Sequence, residues 1–148
     1  MPDDSTLTEL LERVVLAGVD LTTRALAEAA PGIDLTLPQW RVLVVLGASA
    51  DGATVSAVAA QIGVTLPATS RQLRRLERRG LLEVGPDEAD HRATRARLTR
   101  AGRRARSAIL SYRRAGLEQA TSRFTPAAAT LRDLARLVGA LEESNAAD

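Results

Sequence analysis

The stretch Val55-Ser56-Ala57-Val58-Ala59-Ala60-Gln61-Ile62-Gly63-Val64-Thr65-Leu66-Pro67-Ala68-Thr69-Ser70-Arg71-Gln72-Leu73-Arg74-Arg75-Leu76-Glu77-Arg78-Arg79-Gly80 decides the fold. Val55, Val58, Ala59 and Ile62 recur at helical spacing, and Gly63 fits the left-handed position just past a helix end. Two residues on, Thr65 caps a second helix with Pro67 in its first turn. That helix runs to Arg79, and Gly80 stops it. The corner Gly63-Val64-Thr65 is too short for anything but a tight turn, and helix, short Gly-containing turn, helix is the helix-turn-helix pattern.

Downstream the apolar period drops to two. Leu82 and Val84 alternate with Glu83, and Thr94, Ala96 and Leu98 alternate with Arg95 and Arg97. The polar, turn-rich run Gly85–Arg92 separates them, which predicts a β-hairpin with a longish loop. Thr99 then caps a long helix with a stripe of Ala101, Ala105, Ile109, Tyr112, Gly116 and Ala120. Thr125-Pro126 opens a last helix with Leu131, Leu134, Val138 and Leu141 at heptad-like spacing.

Upstream, Thr6-Leu7-Thr8-Glu9 reads as a capping box starting a first helix, with Leu7, Leu10, Leu11, Val14, Gly18, Leu21 and Ala25 on one stripe and Pro31-Gly32 as its end. Thr36, Pro38 and Gln39 signal a second start, and Trp40–Leu46 is apolar on nearly every side, predicting a short, fully buried helix. Asp51-Gly52 is a turn. The fold class is α+β, mostly α: a winged helix-turn-helix domain at 35–99, an N-terminal helix at 1–34 and C-terminal helices at 100–148.

Charge is segregated along the 148 residues. All 20 basic residues are Arg. Residues 71–114 hold 14 Arg against 5 acids, a net of +9, and the remainder nets −7. Base composition of the genome explains Arg over Lys but not the segregation, which is the expected footprint of a polyanion partner. On the central helix Leu73, Leu76 and Thr69 face the core, leaving Pro67, Ala68, Ser70, Arg71, Arg74, Arg75 and Arg78 on the other side. An Arg-rich face is usually only a solvated surface. Here the guanidiniums repel at three- and four-residue spacing, only Glu77 lies in the helix to relieve them, and small residues at the N-terminal turn let that end approach a groove floor.

Double-stranded DNA is therefore the expected partner. Ser70 and Arg71 are candidates for base edges, Arg71 through two hydrogen bonds to guanine. Thr65 caps the helix and stands near phosphate. Arg74, Arg75 and Arg78 are candidate phosphate contacts, which orient without reading sequence. Arg92 and Arg95, near the hairpin tip, are candidates for the minor groove, with Asp90 bracing Arg92 through a salt bridge. Taken alone, Asp90-His91-Arg92 reads as well as a hydrophilic turn. The acids Asp87, Glu88 and Asp90 are expected on the side away from DNA.

Other classes fall away. No apolar run of 18 residues exists for a membrane span, and the acidic start Met1-Pro2-Asp3-Asp4 is unlike a signal peptide, so a cytoplasmic protein is expected. With no Cys, one His (His91), no ligand-spaced acidic cluster and no Gly-rich phosphate loop after a strand, no enzyme, metal or cofactor is expected. Trp40 and Tyr112 could line a ligand pocket, although a lone Trp in an apolar helix is more often core.

In order and spacing the sequence resembles the multiple antibiotic resistance regulator (MarR) family. The matching pieces are Leu37-Pro38-Gln39-Trp40-Arg41-Val42-Leu43, Val55–Ala59 leading to Ile62-Gly63-Val64, Thr69-Ser70-Arg71, Leu76–Leu81, and Asp90-His91-Arg92 followed after five residues by Leu98-Thr99. The resemblance covers Leu35–Gly102, with the outer helices matching in pattern. It implies a homodimer joined by its terminal helices, each copy reading half of a palindromic site, and a repressor released by a small-molecule effector. By resemblance Thr69, Ser70 and Arg71 fall in the recognition helix and Arg92 is the wing arginine. Val84 and Gly85 stand where family members often carry basic residues, and no redox-sensing Cys exists. The apolar stripes Leu7, Leu10, Leu11, Val14 and Leu131, Leu134, Val138, Leu141 are too long to be covered by one small core and are the candidate dimer interface; a two-fold pair sets its recognition helices about 34–36 Å apart, one turn of DNA. The competing reading is a winged-helix dimer that serves as a protein–protein interaction module without specific DNA binding.

Overall fold

A computed structural model describes residues 4–146, with side chains described over 6–144. The element order is α1 (Asp4–Glu28), α2 (Leu37–Leu46), β1 (Ala53–Thr54), α3 (Val55–Ile62), α4 (Leu66–Arg78), β2 (Leu82–Pro86), β3 (Thr94–Leu98), α5 (Arg100–Thr121) and α6 (Ala128–Ala146). Among the described residues, six helices and one small antiparallel sheet give the mostly helical winged-helix architecture.

Local chemistry sets most boundaries. Thr36 and Gln39 form a reciprocal capping box at the start of α2, the Thr36 side chain accepting from the Gln39 N–H and the Gln39 side chain from the Thr36 N–H. Gly63 closes α3 at φ 67°, a left-handed conformation that only glycine adopts without strain. The start of α1 differs from the expected box at Thr6: the helix begins at Asp4, within the usual variation of helix ends. It also stops at Glu28, ahead of the Pro31-Gly32 break.

The sheet has strand order β1-β3-β2. Leu82↔Leu98 through Pro86↔Thr94 pair in the hairpin, and Ala53↔Ala96 and Thr54↔Arg95 add the short β1. Pro86 is tolerated because β2 is an edge strand, where a missing N–H costs no ladder bond. Two residues are too few to leave an alternation, so β1 carries no sequence signature.

The chain forms two compact units, residues 1–116 and 117–148, divided within α5. The core of the first collects Trp40, Val42, Leu43 and Leu46 from α2, Val55, Val58 and Ile62 from α3, Leu73 and Leu76 from α4, and Leu82, Ala96 and Leu98 from the sheet. Ala25 and Leu26 of α1 and Ile109 of α5 enter the same core. The divisions at 34/35 and 99/100 therefore separate stretches of sequence rather than separate cores. Nor is α2 buried all round: Arg41 and Val44 are exposed, because its neighbours cover only part of its circumference. In the second unit, Leu131, Leu134, Val138 and Leu141 of α6 are half exposed or more.

Candidate nucleic-acid interface

Leu73, Leu76 and Thr69 anchor α4 from beneath, each almost completely buried. That orientation exposes the guanidiniums of Arg71, Arg74, Arg75 and Arg78 along the opposite side. None of the four makes a hydrogen bond or ion pair among the described residues. The one acid of the helix, Glu77, is turned elsewhere: its carboxylate accepts a hydrogen bond from the N–H of Val84 at 3.2 Å, tying α4 to β2. Like charges are thus left unneutralised within one or two turns of each other, which destabilises an isolated helix.

A cleft of about 330 Å³ separates α4 from the wing. Ser70 and Arg74 line one wall, Arg92 and Thr94 the other, and Leu66 and Ser56 its remaining rim. Ser70, Arg74 and Arg92, singled out separately in the sequence, thus meet at one groove. Leu66 and Ser56 were missed. The available signal was that Leu66, half exposed, is an apolar first-turn residue with no place in the core stripe of α4.

The wing corrects several expectations. Arg95 does not project from the tip. It lies in β3 opposite Thr54 and Gly85 and forms an ion pair with Asp87, whose side chain is buried. Its Nη1 donates to the carbonyl of Gly52 at 3.3 Å. Asp87 also accepts from the N–H groups of Ala89 and Asp90, each at 2.9 Å. These contacts hold its carboxyl below the usual range, the Arg95 hydrogen bond first, then the backbone donors. Arg95 is therefore spent inside the protein, and Asp87 is a buried counter-charge rather than an acid merely kept away from DNA. Arg97 is likewise engaged, with Glu88 at 3.1 Å and the Asp51 carbonyl at 3.1 Å. Arg92 is exposed at the turn. Asp90 braces it through the backbone, its carboxylate accepting from the Arg92 N–H at 3.0 Å, and not through a salt bridge.

On α4 itself, Thr69 is fully buried and its hydroxyl has no partner, so it lies beneath the helix and not on the outward face. Thr65 occupies the cap position with extended backbone, but its side chain makes no capping hydrogen bond. Pro67 is exposed and Ala68 half-buried.

Residues 33–93 match the model of the MarR family. The winged helix of these residues is similar to that of the MarR family. No curated protein matches the chain in sequence. The fold is similar to RV1404 from Mycobacterium tuberculosis, at 24% identity over 97% of this chain and 94% of that one, TM-score 0.78. It is also similar to CouR from Rhodococcus jostii RHA1 bound to p-coumaroyl-CoA (24% identity, 97% and 92% coverage, TM-score 0.73). A MepR mutant from S. aureus bound to an oligodeoxyribonucleotide matches with 24% identity, 93% and 97% coverage and TM-score 0.66. A transcriptional regulator of the MarR family from Rhodococcus sp. RHA1 shares the fold as well, at 21% identity over 93% of this chain and 92% of that one, TM-score 0.71.

Within the MarR-type domain Trp40 is core, buried with α2. Tyr112 packs against the same core and donates its hydroxyl to Glu28 at 2.7 Å, a contact that pushes the phenol's pKa up. Neither residue lines the cleft between α4 and the wing. On α1, Leu7, Leu10 and Val14 are exposed at 52, 49 and 67%, and Leu11 is half-buried. No helix among the described residues is long and apolar enough to cross a membrane.

Proposed function

We propose that this protein is a transcriptional regulator, a repressor that binds a palindromic DNA operator as a homodimer and is released by a small-molecule effector. One observation carries the reading: α4 exposes four guanidiniums that are unpaired among the described residues, and one of them, Arg74, meets Ser70 and the exposed Arg92 at a single groove. An α-helix fits the major groove of B-DNA. In this reading Ser70 and Arg71 meet base edges, Pro67 and Ala68 permit close approach, Thr65 stands near phosphate, and Arg74, Arg75 and Arg78 grip the backbone. Arg92 enters the minor groove. Thr69 and Arg95 support these contacts from inside the protein. Residues 35–99 read DNA, while 1–34 and 100–148 pair two copies. Support for pairing is the apolar exposure of Leu7, Leu10 and Val14 on α1 and, separately, of Leu131, Leu134, Val138 and Leu141 on α6. The DNA-bound MepR and the ligand-bound CouR are consistent with both partners.

Selection from random duplexes, followed by salt titration of the recovered site, tests it. The expected motif is a two-fold repeat, bound with a log–log salt slope of about −0.9 per phosphate neutralised. Arg71→Ala should cost about 1–3 kcal/mol and relax one base position, whereas Arg74→Ala should weaken all sequences alike. Leu134→Asp should yield monomers in sedimentation. Failure to enrich any motif, with salt-insensitive binding, would leave the protein–protein module as the better reading.

A further inference from the structure

Among the described residues, the large apolar side chains left exposed lie on α1, on α2 and from Leu117 onward, with one exception. The exception is Leu66, 50% exposed in the first turn of α4 and the only one between Val44 and Leu117. It belongs to neither of the apolar stripes on the terminal helices and is not part of the core.

A single exposed leucine needs no explanation in itself, but its place here does. Leu66, Ser70 and Arg74 are four residues apart, so they follow one side of α4, and all three line the cleft facing the wing. The other exposed positions around that cleft, Ser56, Arg92 and Thr94, are polar. Its deeper apolar residues, Val55 and Leu73, are 8% and 1% exposed and serve the core. Leu66 is therefore the one large apolar side chain that this surface offers to a partner.

The first turn also holds it firmly. Pro67 fixes its own φ in the helical range, and the Thr69 N–H donates to the Thr65 carbonyl at 2.9 Å, closing the turn. Thr69 and Leu73 are buried beneath. A side chain presented from so fixed a backbone is suited to discriminate between surfaces rather than to adapt to them.

The chemistry of the major groove decides what such a group can select. Leucine gains nothing from phosphate. Pressed on guanine or adenine it strips water from N7 and from O6 or the N6 amino group without replacing their hydrogen bonds. The base edges offer one apolar group there, the C5-methyl of thymine, and covering it buries apolar surface on both partners. We infer that Leu66 is a specificity-determining residue that packs on a thymine methyl group, next to the base edges met by Ser70 and Arg71. The role depends on the function proposed above, in which α4 enters the major groove.

The duplex recovered by selection is rebuilt with deoxyuridine in place of one thymine at a time, which removes the methyl and keeps every hydrogen-bonding group. At one thymine in each half-site the exchange should weaken binding by the parent about fourfold, the effect of one buried methyl. In Leu66→Ala the same exchange should change affinity little. In Leu66→Met, which keeps an apolar side chain, the loss should return. In Arg71→Ala, which alters a different contact, the methyl should still count about fourfold. A thymine whose exchange costs as much in Leu66→Ala as in the parent, or a recovered site with no methyl-sensitive thymine, overturns the role of Leu66 while salt-sensitive duplex binding upholds the regulator reading. If no duplex is bound in a salt-sensitive way, both fall together.

Discussion

Helix α4 and the wing are built from the same cation and treat it in opposite ways. On α4 the guanidiniums of Arg71, Arg74, Arg75 and Arg78 stand exposed and unpaired among the described residues. On β3 those of Arg95 and Arg97 are taken up by Asp87, Glu88 and the carbonyls of Asp51 and Gly52. The first set is charge without an internal counter-ion among the described residues; the second is internal framework that holds a three-stranded sheet and its turn in shape. Arg count therefore says little about binding until each guanidinium is asked what already holds it.

The largest expected effect separates the two sets directly. Replacing Arg71, Arg74, Arg75 and Arg78 by Ala together should lower duplex affinity about a thousandfold or more. It should also flatten the salt slope by about 0.9 for each phosphate that is no longer neutralised. The melting temperature should hold or rise, since like-charge neighbours are relieved. A collapse of the fold in that variant would show that these arginines are structural after all. Next comes the wing. Asp87→Ala strands Arg95 and should lower the melting temperature, with affinity following stability.

The same carboxyl carries a pH signature. Folding keeps Asp87 ionised below its ordinary pKa, so its stabilisation is present at neutral pH and is lost progressively as the pH falls below about 4 and the folded group is protonated. In Asp87→Ala that part of the acid limb of the stability curve should vanish; an unchanged limb would break the assignment. A smaller contrast lies within the wing: Arg92→Ala should cost about tenfold in affinity at unchanged melting temperature. Arg95→Ala should reverse that order, with the thermal loss dominating. Smallest of all, Thr69→Val removes a buried hydroxyl that has no partner and should stabilise the domain by about 1 kcal/mol while leaving DNA affinity alone. A large affinity loss there would return Thr69 to the contact surface.

What could be read in the sequence was what short range determines. The capping box of α2, the left-handed Gly63 and the buried side of α4 each depend on residues a few positions apart. The unpaired face of α4 was legible for the same reason, because its only nearby acid is Glu77. Partnerships made by tertiary pairing were not. β1 exists only because Ala53 and Thr54 meet β3 more than forty residues later. Arg95 looked like a tip residue until the register placed Gly85 opposite it, with Asp87 at the diagonal position. Tyr112 was legible as part of an apolar stripe, yet its hydroxyl's bond to Glu28 spans 84 positions. Val44 failed differently: hydrophobic character said what α2 prefers, but not how many neighbours would surround it.

One property of the α4 face limits how it can be controlled. Its charge consists wholly of guanidinium, a group that stays protonated throughout the physiological range. Acid or mild alkali leaves those four charges in place, and with no lysine in the chain, acetylation has no side-chain ammonium to neutralise. Such a surface is permanently switched on, so any control over what it grips must come from where it is held or how much salt surrounds it.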